Sequence, residues 1–280
     1  MRECVVCGQA VDQQAYPGIL RCFKCATMVA DTSLSAEALK ELYGRNYFFG
    51  EEYGDYIRDR RILEKNFNLR LKVLTRYLGD TSQKSLLEVG SAYGFFLNLV
   101  RERFKRVRGF DVSSDAVLYA QNELKLDVKD TNFLSHDFGQ DRFDAVCLWD
   151  TLEHLAEPDR YLEKIANITP AGALLAFTTG DIESFNARWR GRNWRLLHPP
   201  THLFYFSKKS INRLLKRYGF EVLYNRYCGF YRSLDQIAYS LFVLRRQKSR
   251  LYHWLKKSGI FQNDIYLNLY DIFYVVARKL

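Results

Sequence analysis

Short apolar runs alternate with amphipathic segments through the middle of the chain. The runs are rich in leucine and β-branched residues and end on polar residues; they occupy 85–90, 106–112, 126–130, 143–150 and 172–179. In the segments between most of them, apolar residues recur at helical spacing. Strand and helix patterns in this order predict an α/β fold in which a parallel sheet carries helices on both faces.

Two further runs, 218–228 and 266–280, have the same strand composition near the C-terminus. We expect them to be the last two strands and to form an antiparallel pair that closes the sheet. Ahead of the first strand, 58–78 has a helical pattern with many basic residues. We expect this helix to cover the cleft and to expose its basic face to solvent.

The segment 233–261 separates the last two strands and is longer than a simple connection. Its apolar residues recur at helical spacing, and its basic residues stand among tyrosine, tryptophan and phenylalanine. A basic amphipathic stretch can lie on an anionic membrane surface. Helices of this composition also cap a core with a solvated basic rim. The second interpretation is favoured, and peripheral membrane contact stays open as the alternative.

Composition and charge narrow the classes of protein. Hydrophobic residues make up 48% of the 280 residues, which argues against disorder. No run approaches the roughly 18 apolar residues of a membrane span, and the N-terminus lacks the apolar core of a signal peptide. These features predict a cytoplasmic protein, with the inner membrane face as a peripheral location. The net charge of +10 favours anionic partners without specifying them.

Four of the six cysteines form two CxxC pairs separated by 14 residues: Cys4, Cys7, Cys22 and Cys25. Two such pairs can place four thiolates in one tetrahedron, as zinc requires. Disulfides are the competing interpretation, but nothing marks the chain as exported. Four thiolates leave no open coordination position, so we expect a structural zinc ion. The predicted organisation is a zinc ribbon at 1–32, a helical leader at 33–82 and the α/β domain at 83–280.

Polar residues follow several of the predicted parallel strands: Glu88, Gly90, Asp111, Asp130 and Asp150. Parallel sheets bind ligands at the carboxyl ends of their strands. Asp111 is 21 residues beyond Gly90, where a carboxylate can accept both hydroxyls of an adenosine ribose. A dinucleotide needs a GxGxxG loop, but here the middle glycine is Ala92, Tyr93 would crowd a pyrophosphate, and Glu88 would repel it. The pattern therefore favours S-adenosylmethionine, a cationic nucleoside without phosphate.

Residues 85–179 resemble the class I S-adenosylmethionine-dependent methyltransferases, which have a Rossmann-like fold. "LLEVGSAYG" is similar to their first-strand signature, with Ala92 in place of the usual glycine, and "GFDVS" to their ribose-binding strand end. "FDAVCLWDTLEHLAEPDRYLEKI" and "ITPAGALLAFTT" are similar to their fourth and fifth strands. The CxxC pairs, "SAEALKELYGRNYF" and "WRLLHPPTHLFYFS" resemble bacterial zinc-ribbon methyltransferases, often linked to sugar, polysaccharide or lipid-linked acceptors.

The resemblance implies a role for each strand-end residue in holding S-adenosylmethionine. Asp111 would hold the ribose, and Asp130 and Asn132 would contact the adenine edge. Trp149 and Asp150 would lie beside the methionyl chain. The methionine part would be held by Glu88 and by the glycine loop, which comprises Gly90, Ser91, Ala92 and Gly94. A helix cap or a solvated strand end is the competing interpretation for each aspartate.

Transfer to oxygen or nitrogen usually needs a base, and histidine suits that role because its pKa lies near working pH. Three histidines fall in loops expected to edge the cleft: His154, His198 and His202. We favour His202 as the catalytic base and His154 as a residue that shapes the site, although His154 is as well explained as a structural tie.

The predicted function is methyl transfer to a small or lipid-linked acceptor, with a sugar or glycan intermediate favoured. An RNA methyltransferase is the first alternative, because basic charge and zinc often occur together in nucleic-acid-binding proteins. The sequence shows no aromatic signature for stacking RNA bases, which argues against it. A non-catalytic scaffold with the same fold is the second alternative. Glu88, Gly90 and Asp111 are all present, which argues against a scaffold.

Overall fold

The computed structural model of the chain describes residues 2–32, 38, 41–42, 56–239, 249–257 and 263–280. Much of the predicted leader at 33–82 and of the segment 233–261 therefore lies outside the described residues. Within the described part, no helix combines the length and apolar character needed to cross a bilayer.

The described elements run from an N-terminal β-rich region into alternating strands and helices. The strands are β1 Arg2–Glu3, β2 Ala10–Tyr16, β3 Ile19–Cys22, β4 Met28–Ala30, β5 Ser85–Val89, β6 Arg106–Phe110, β7 Val128–Lys129, β8 Ala145–Trp149, β9 Leu174–Gly180, β10 Phe204–Tyr205, β11 Phe220–Tyr227, β12 Phe230–Ser233, β13 Asp264–Leu267 and β14 Ile272–Lys279. The α-helices are α1 Arg60–Leu78, α2 Phe95–Val100, α3 Ser114–Asn122, α4 Pro158–Ile168, α5 Phe185–Arg190, α6 Lys208–Arg217, α7 Leu234–Ala238 and α8 Ser249–Lys257.

Seven strands form the central sheet, in the order β11-β14-β9-β8-β5-β6-β7. Strands β5 to β9 are parallel, whereas β14 runs antiparallel between β9 and β11. Strands β5, β8 and β9, in the middle of the sheet, are buried along almost their whole length, as expected where both faces of a parallel sheet are covered. The predicted Rossmann-like α/β fold with a closing antiparallel pair is confirmed.

One strand prediction needs correction. The run 266–280 was expected to be a single strand, but the structure divides it into β13 and β14. Between them Asn268 Oδ1 accepts the N–H of Tyr270 at 2.9 Å, and Tyr270 has a φ of +53°. This turn lets β13 pair with β12 in a separate two-stranded sheet, while β14 alone enters the central sheet.

The N-terminal ribbon (Arg2–Ala30) shares a sheet and a core with the rest of the chain. Strand β10 extends the ribbon sheet, with Phe204 opposite Val29. Buried ribbon residues, including Val29 and Cys22, belong to the same apolar cluster as Phe204 and one face of the central sheet. The segment between β9 and β10 is therefore fixed to the sheet at one end and to the ribbon at the other.

Candidate functional site

The loop after β5 turns on two glycines that tolerate no side chain. Gly90 and Gly94 both have a φ of +76°, a region that L side chains rarely adopt. A Cβ at Gly90 would lie 2.6 Å from Cγ2 of Thr151, and one at Gly94 would lie 2.8 Å from Cδ1 of Leu126. The spacing of these glycines is therefore required by close approach to the neighbouring loop and to the segment before β7.

The N–H groups of this loop bond within the protein. Gly90 and Ser91 donate to the carbonyl of Phe110 at 2.8 and 3.0 Å, and Ala92 donates to Oδ2 of Asp111 at 2.7 Å. Gly94 donates to the carbonyl of Ser91 at 2.8 Å. Three of these N–H groups hold the loop against the end of β6, and the N–H of Gly94 closes the loop on Ser91. The N–H of Ala92 also positions the carboxylate of Asp111.

Two carboxyl groups stand at the ends of the neighbouring strands β5 and β6. Asp111 is half-buried, and its Oδ1 accepts the N–H of Ser113 at 2.9 Å, while Oδ2 is held by Ala92. Burial raises the pKa of Asp111, although the N–H groups oppose the shift. Glu88 is 2% exposed, and its Oε2 has no hydrogen-bond partner among the described residues. Burial, and then the charge of Asp111, raises the pKa of Glu88 well above its ordinary value.

Helix α1 brings Arg70 to this edge, next to Trp149 and Asp150. Its Nη2 donates to Oδ2 of Asp150 at 2.9 Å, and its guanidinium lies 5.6 Å from the centre of the Trp149 ring. Oδ1 of Asp150 accepts from the hydroxyl of Thr178 at 2.7 Å. Buried Trp149 leaves Nε1 without a hydrogen-bond partner among the described residues. Sequence reasoning missed Arg70, because nothing distinguishes it from the other basic residues of the helix.

The predicted adenine-edge residues are placed differently from one another. Asp130 follows β7, is exposed, and accepts from the hydroxyl of Ser114 at 3.3 Å through Oδ2. Asn132 is also exposed, but its Oδ1 accepts the N–H of Leu134 at 2.9 Å and so closes its own turn. Asp130 thus lies one strand away from Asp111, whereas the Asn132 side-chain oxygen is engaged locally.

The structure brings the three predicted histidines together beside the edge of the sheet. The ring of His202 lies 4.5 Å from that of His154 and 4.1 Å from that of His198, between centroids. Nδ1 of His154 lies 2.8 Å from the carbonyl of Thr201, and burial lowers the pKa of His154 to about 4. Burial and the two neighbouring histidines hold the pKa of His202 well below its usual range. The base role of His202 and the shaping role of His154 stay predictions.

Glu153 joins this cluster and was also missed by sequence reasoning. It is 5% exposed, and one of its oxygens, Oε2, lacks a hydrogen-bond partner among the described residues. Burial and the charge of Asp150 raise the pKa of Glu153 to about 8. Its position one residue before His154 was the available signal, since both sit on the short 3-10 turn Leu152–His154 after β8.

The four ribbon cysteines also converge, and all four are free thiols. Sγ of Cys4 lies 3.4 Å from Sγ of Cys25, and Sγ of Cys7 lies 3.5 Å from Sγ of Cys22. A Zn–S distance of 2.3 Å gives tetrahedral S···S edges of about 3.8 Å. The four sulfurs lie within 4.8 Å of one another, so the set fits a closed zinc site.

A family model described as a methyltransferase domain matches residues 57–225 of this chain. Three solved structures illustrate the fold. A SAM-dependent methyltransferase from Thermotoga maritima is 16% identical, with 84% of this chain and 99% of that one covered and a TM-score of 0.54. Magnesium protoporphyrin IX methyltransferase from Synechocystis PCC 6803, with bound SAH, is 14% identical, with 84% of this chain and 98% of that one covered and a TM-score of 0.53. The [4+2]-cyclase SpnF is 19% identical, with 76% of this chain and 81% of that one covered and a TM-score of 0.52.

At these identities the structural likeness shows the fold alone, and the cyclase shows that the fold does not fix the reaction. No match was found among curated protein sequences.

Proposed function

This chain belongs to the methyltransferase domain family, and we propose that it transfers the methyl group of S-adenosylmethionine to a small or lipid-linked acceptor, with a sugar or glycan intermediate favoured. The pairing of Glu88 with Asp111 at adjacent strand ends carries the proposal for the methyl donor. Glu88 is buried, and one of its oxygens has no hydrogen-bond partner in the described part of the chain, which favours a cationic ligand. Two backbone N–H groups hold the carboxylate of Asp111, which can accept ribose hydroxyls.

The residues present fit the zwitterionic methionine end of S-adenosylmethionine. Glu88 offers a carboxylate to the cationic groups, and Arg70 offers a guanidinium to the carboxylate in place of its ion pair with Asp150. Trp149 covers the methionyl chain, and Asp130 and Asn132 are the candidates for the adenine edge. S-adenosylmethionine supplies the electrophilic methyl group when bound. The chain positions the two reactants and excludes water, which together account for much of the rate in such reactions.

The surface of α5 supports a lipid-linked acceptor. Phe185 and Trp189 are 82% and 73% exposed and lie four residues apart, so they share one face of the helix. Exposed arginines surround them; together they form the α5 patch, which comprises Phe185, Arg188, Trp189, Arg190 and Arg192. Exposed aromatic side chains among cations suit the interface of an anionic membrane.

The α5 patch stands at the same edge of the sheet as the candidate site. It follows β9 directly, and the segment is fixed there because Asp271 accepts hydrogen bonds from Asn186, Trp194 and Arg195. A lipid-linked acceptor bound at this patch would have its polar group near the strand ends. The segment 233–261, considered for membrane contact, lies partly outside the described residues, although Trp254 on α8 is 68% exposed.

The proposal is tested by measuring transfer of the radiolabelled methyl group from S-adenosylmethionine to three acceptors: sugar nucleotides, glycolipids in anionic vesicles, and structured RNA. We expect label in the carbohydrate class alone. Replacing both Phe185 and Trp189 by serine should abolish vesicle binding and transfer to glycolipid, while transfer to a soluble analogue persists. Trp254→Ser is the matched control, because it removes one exposed aromatic from the other candidate membrane surface. If RNA acquires the radiolabelled methyl group and the carbohydrate acceptors do not, the RNA methyltransferase alternative replaces this proposal.

A further inference from the structure

Glu153, His154 and His202 form a group of three potential metal ligands outside the ribbon. One ligand atom from each lies within 4.8 Å of the others. Glu153 and His202 are buried, and His154 is half-buried. Partly exposed His154 and His198 mark the side from which a small ion could enter. The group lies just beyond β8, three residues past Asp150, and so borders the strand ends.

Both histidines are held in the way that metal-binding histidines are held. Nδ1 of His154 faces the carbonyl of Thr201 at 2.8 Å, so this nitrogen carries the hydrogen and Nε2 carries the lone pair. For His202 the corresponding backbone partner is Leu196, which would leave the lone pair on the other ring nitrogen. A backbone carbonyl that fixes the tautomer and orients the ring is the usual outer partner of a metal-bound imidazole.

Glu153 supplies the anionic member of the group. The hydroxyl of Thr179 interacts with one side of its carboxyl group, whereas Oε2 has no hydrogen-bond partner among the described residues. A buried polar oxygen without a hydrogen-bond partner is destabilising, and more so when it is charged. A cation between this oxygen and the two imidazoles would remove that cost, so the orphaned oxygen points to a ligand.

We propose that Glu153, His154 and His202 bind one divalent transition-metal ion of the kind that imidazole and carboxylate hold together, such as Zn²⁺, Co²⁺ or Fe²⁺. Two histidines and one carboxylate are a known ligand set for catalytic zinc and non-haem iron, and both retain open coordination positions. The tetrahedral separation of such ligands is about 3.3 Å, so the longest separation in the group shortens on binding. This site differs from the ribbon site, whose four thiolates leave no position open.

The metal site changes the role of His202. The lone pair of its ring would be used by the ion, so His202 could not also serve as the general base predicted from the sequence. This consequence rests on the proposed methyl transfer: a divalent ion lowers the pKa of a hydroxyl bound to it. An ion at this edge of the sheet would therefore assist an acceptor hydroxyl directly, and the histidines would act by holding it.

Metal content tests the proposal without any turnover. The full chain is loaded with Zn²⁺, freed of unbound ion by gel filtration and measured by mass spectrometry of the metal. We expect two ions in the wild-type chain and one in Glu153→Gln and in His202→Gln. His136→Gln is the matched control, because it removes a partly buried histidine outside the group and should retain both ions. One ion in the wild-type chain, or two in both variants, would overturn the proposal.

Cobalt spectra decide the question even if a variant fails to fold. Thiolate-bound Co²⁺ gives intense charge-transfer absorption, whereas Co²⁺ bound by nitrogen and oxygen gives only weak ligand-field bands. Titration of the wild-type chain with Co²⁺ should fill one thiolate site and one nitrogen–oxygen site. A titration that shows thiolate sites alone would refute the site at Glu153, His154 and His202. A chain with two ions and no methyl transfer would keep the metal site and reject the proposed function. Methyl transfer by a wild-type chain that holds only one ion would keep the proposed function and reject the second metal site.

Discussion

Glu88→Gln is expected to stabilise the ligand-free protein increasingly as the pH rises. The substitution keeps the shape of the side chain and removes its ability to ionise. Glu88 is 2% exposed, its Oε2 has no hydrogen-bond partner among the residues that the structure describes, and its pKa is raised by burial and by Asp111. A carboxyl whose pKa is raised on folding contributes stability below its unfolded pKa, near 4.5, and loses that contribution as the pH rises through the folded pKa.

The magnitude follows from proton linkage. While Glu88 stays protonated in the folded chain and ionised in the unfolded chain, the wild type loses about 1.4 kcal/mol of unfolding free energy per pH unit relative to the variant. Between pH 5 and pH 7 the difference should therefore grow by at most about 2.7 kcal/mol. Any constant offset from the buried amide cancels in this comparison, as do the titrating groups that do not interact with Glu88.

Urea unfolding at pH 5, 6 and 7 without S-adenosylmethionine measures the difference. Glu221→Gln is the control, because it removes one carboxylate from an exposed side chain of the same sheet. A difference between Glu88→Gln and wild type that does not change with pH would refute the reasoning, since burial would then not perturb this carboxyl. Calorimetry in buffers of different ionisation enthalpy adds a second readout: the wild type should release a proton on binding S-adenosylmethionine, and the variant should release less.

Three further results are expected. Asp111→Ala should weaken S-adenosylmethionine binding by about 3 kcal/mol, or roughly 100-fold, because two charge-assisted hydrogen bonds are lost; unchanged affinity by calorimetry would remove Asp111 from the site. Cys22→Ser should lose the ribbon zinc and lower the melting temperature of the whole chain, since Cys22 belongs to the shared core, while altering S-adenosylmethionine affinity much less; no zinc in the purified wild type would contradict this. Gly90→Ala should destabilise the chain more than Gly139→Ala in chemical unfolding, because both glycines have positive φ but only the first Cβ would collide with a side chain; equal effects would show that Thr151 yields.

The sequence by itself determined the sheet and the grouping of the four ribbon cysteines. Hydrophobic period and glycine position are local properties, and they placed the five parallel strands within a few residues of the observed ones. The CxxC spacing is equally local, because the knuckle brings its two sulfurs together. The prediction of one strand over 266–280 was wrong for a related reason. The turn that divides this run places Tyr270 in the left-handed region, and because the residue there is not a glycine, the sequence gives no local signal of the turn.

Only the tertiary structure decided which side chains meet at the candidate site. Arg70 and Asp150 are 80 residues apart in the sequence and lie 2.9 Å apart in the folded chain. In the sequence Glu153 is an acidic residue in a loop with no distinguishing feature. In the folded chain it is buried beside His202, which lies 49 positions later in the sequence. Side-chain convergence depends on how helices and connections cross the edge of the sheet. Local periodicity carries no record of that crossing, because it reports which face of an element is buried and not which residue lies opposite.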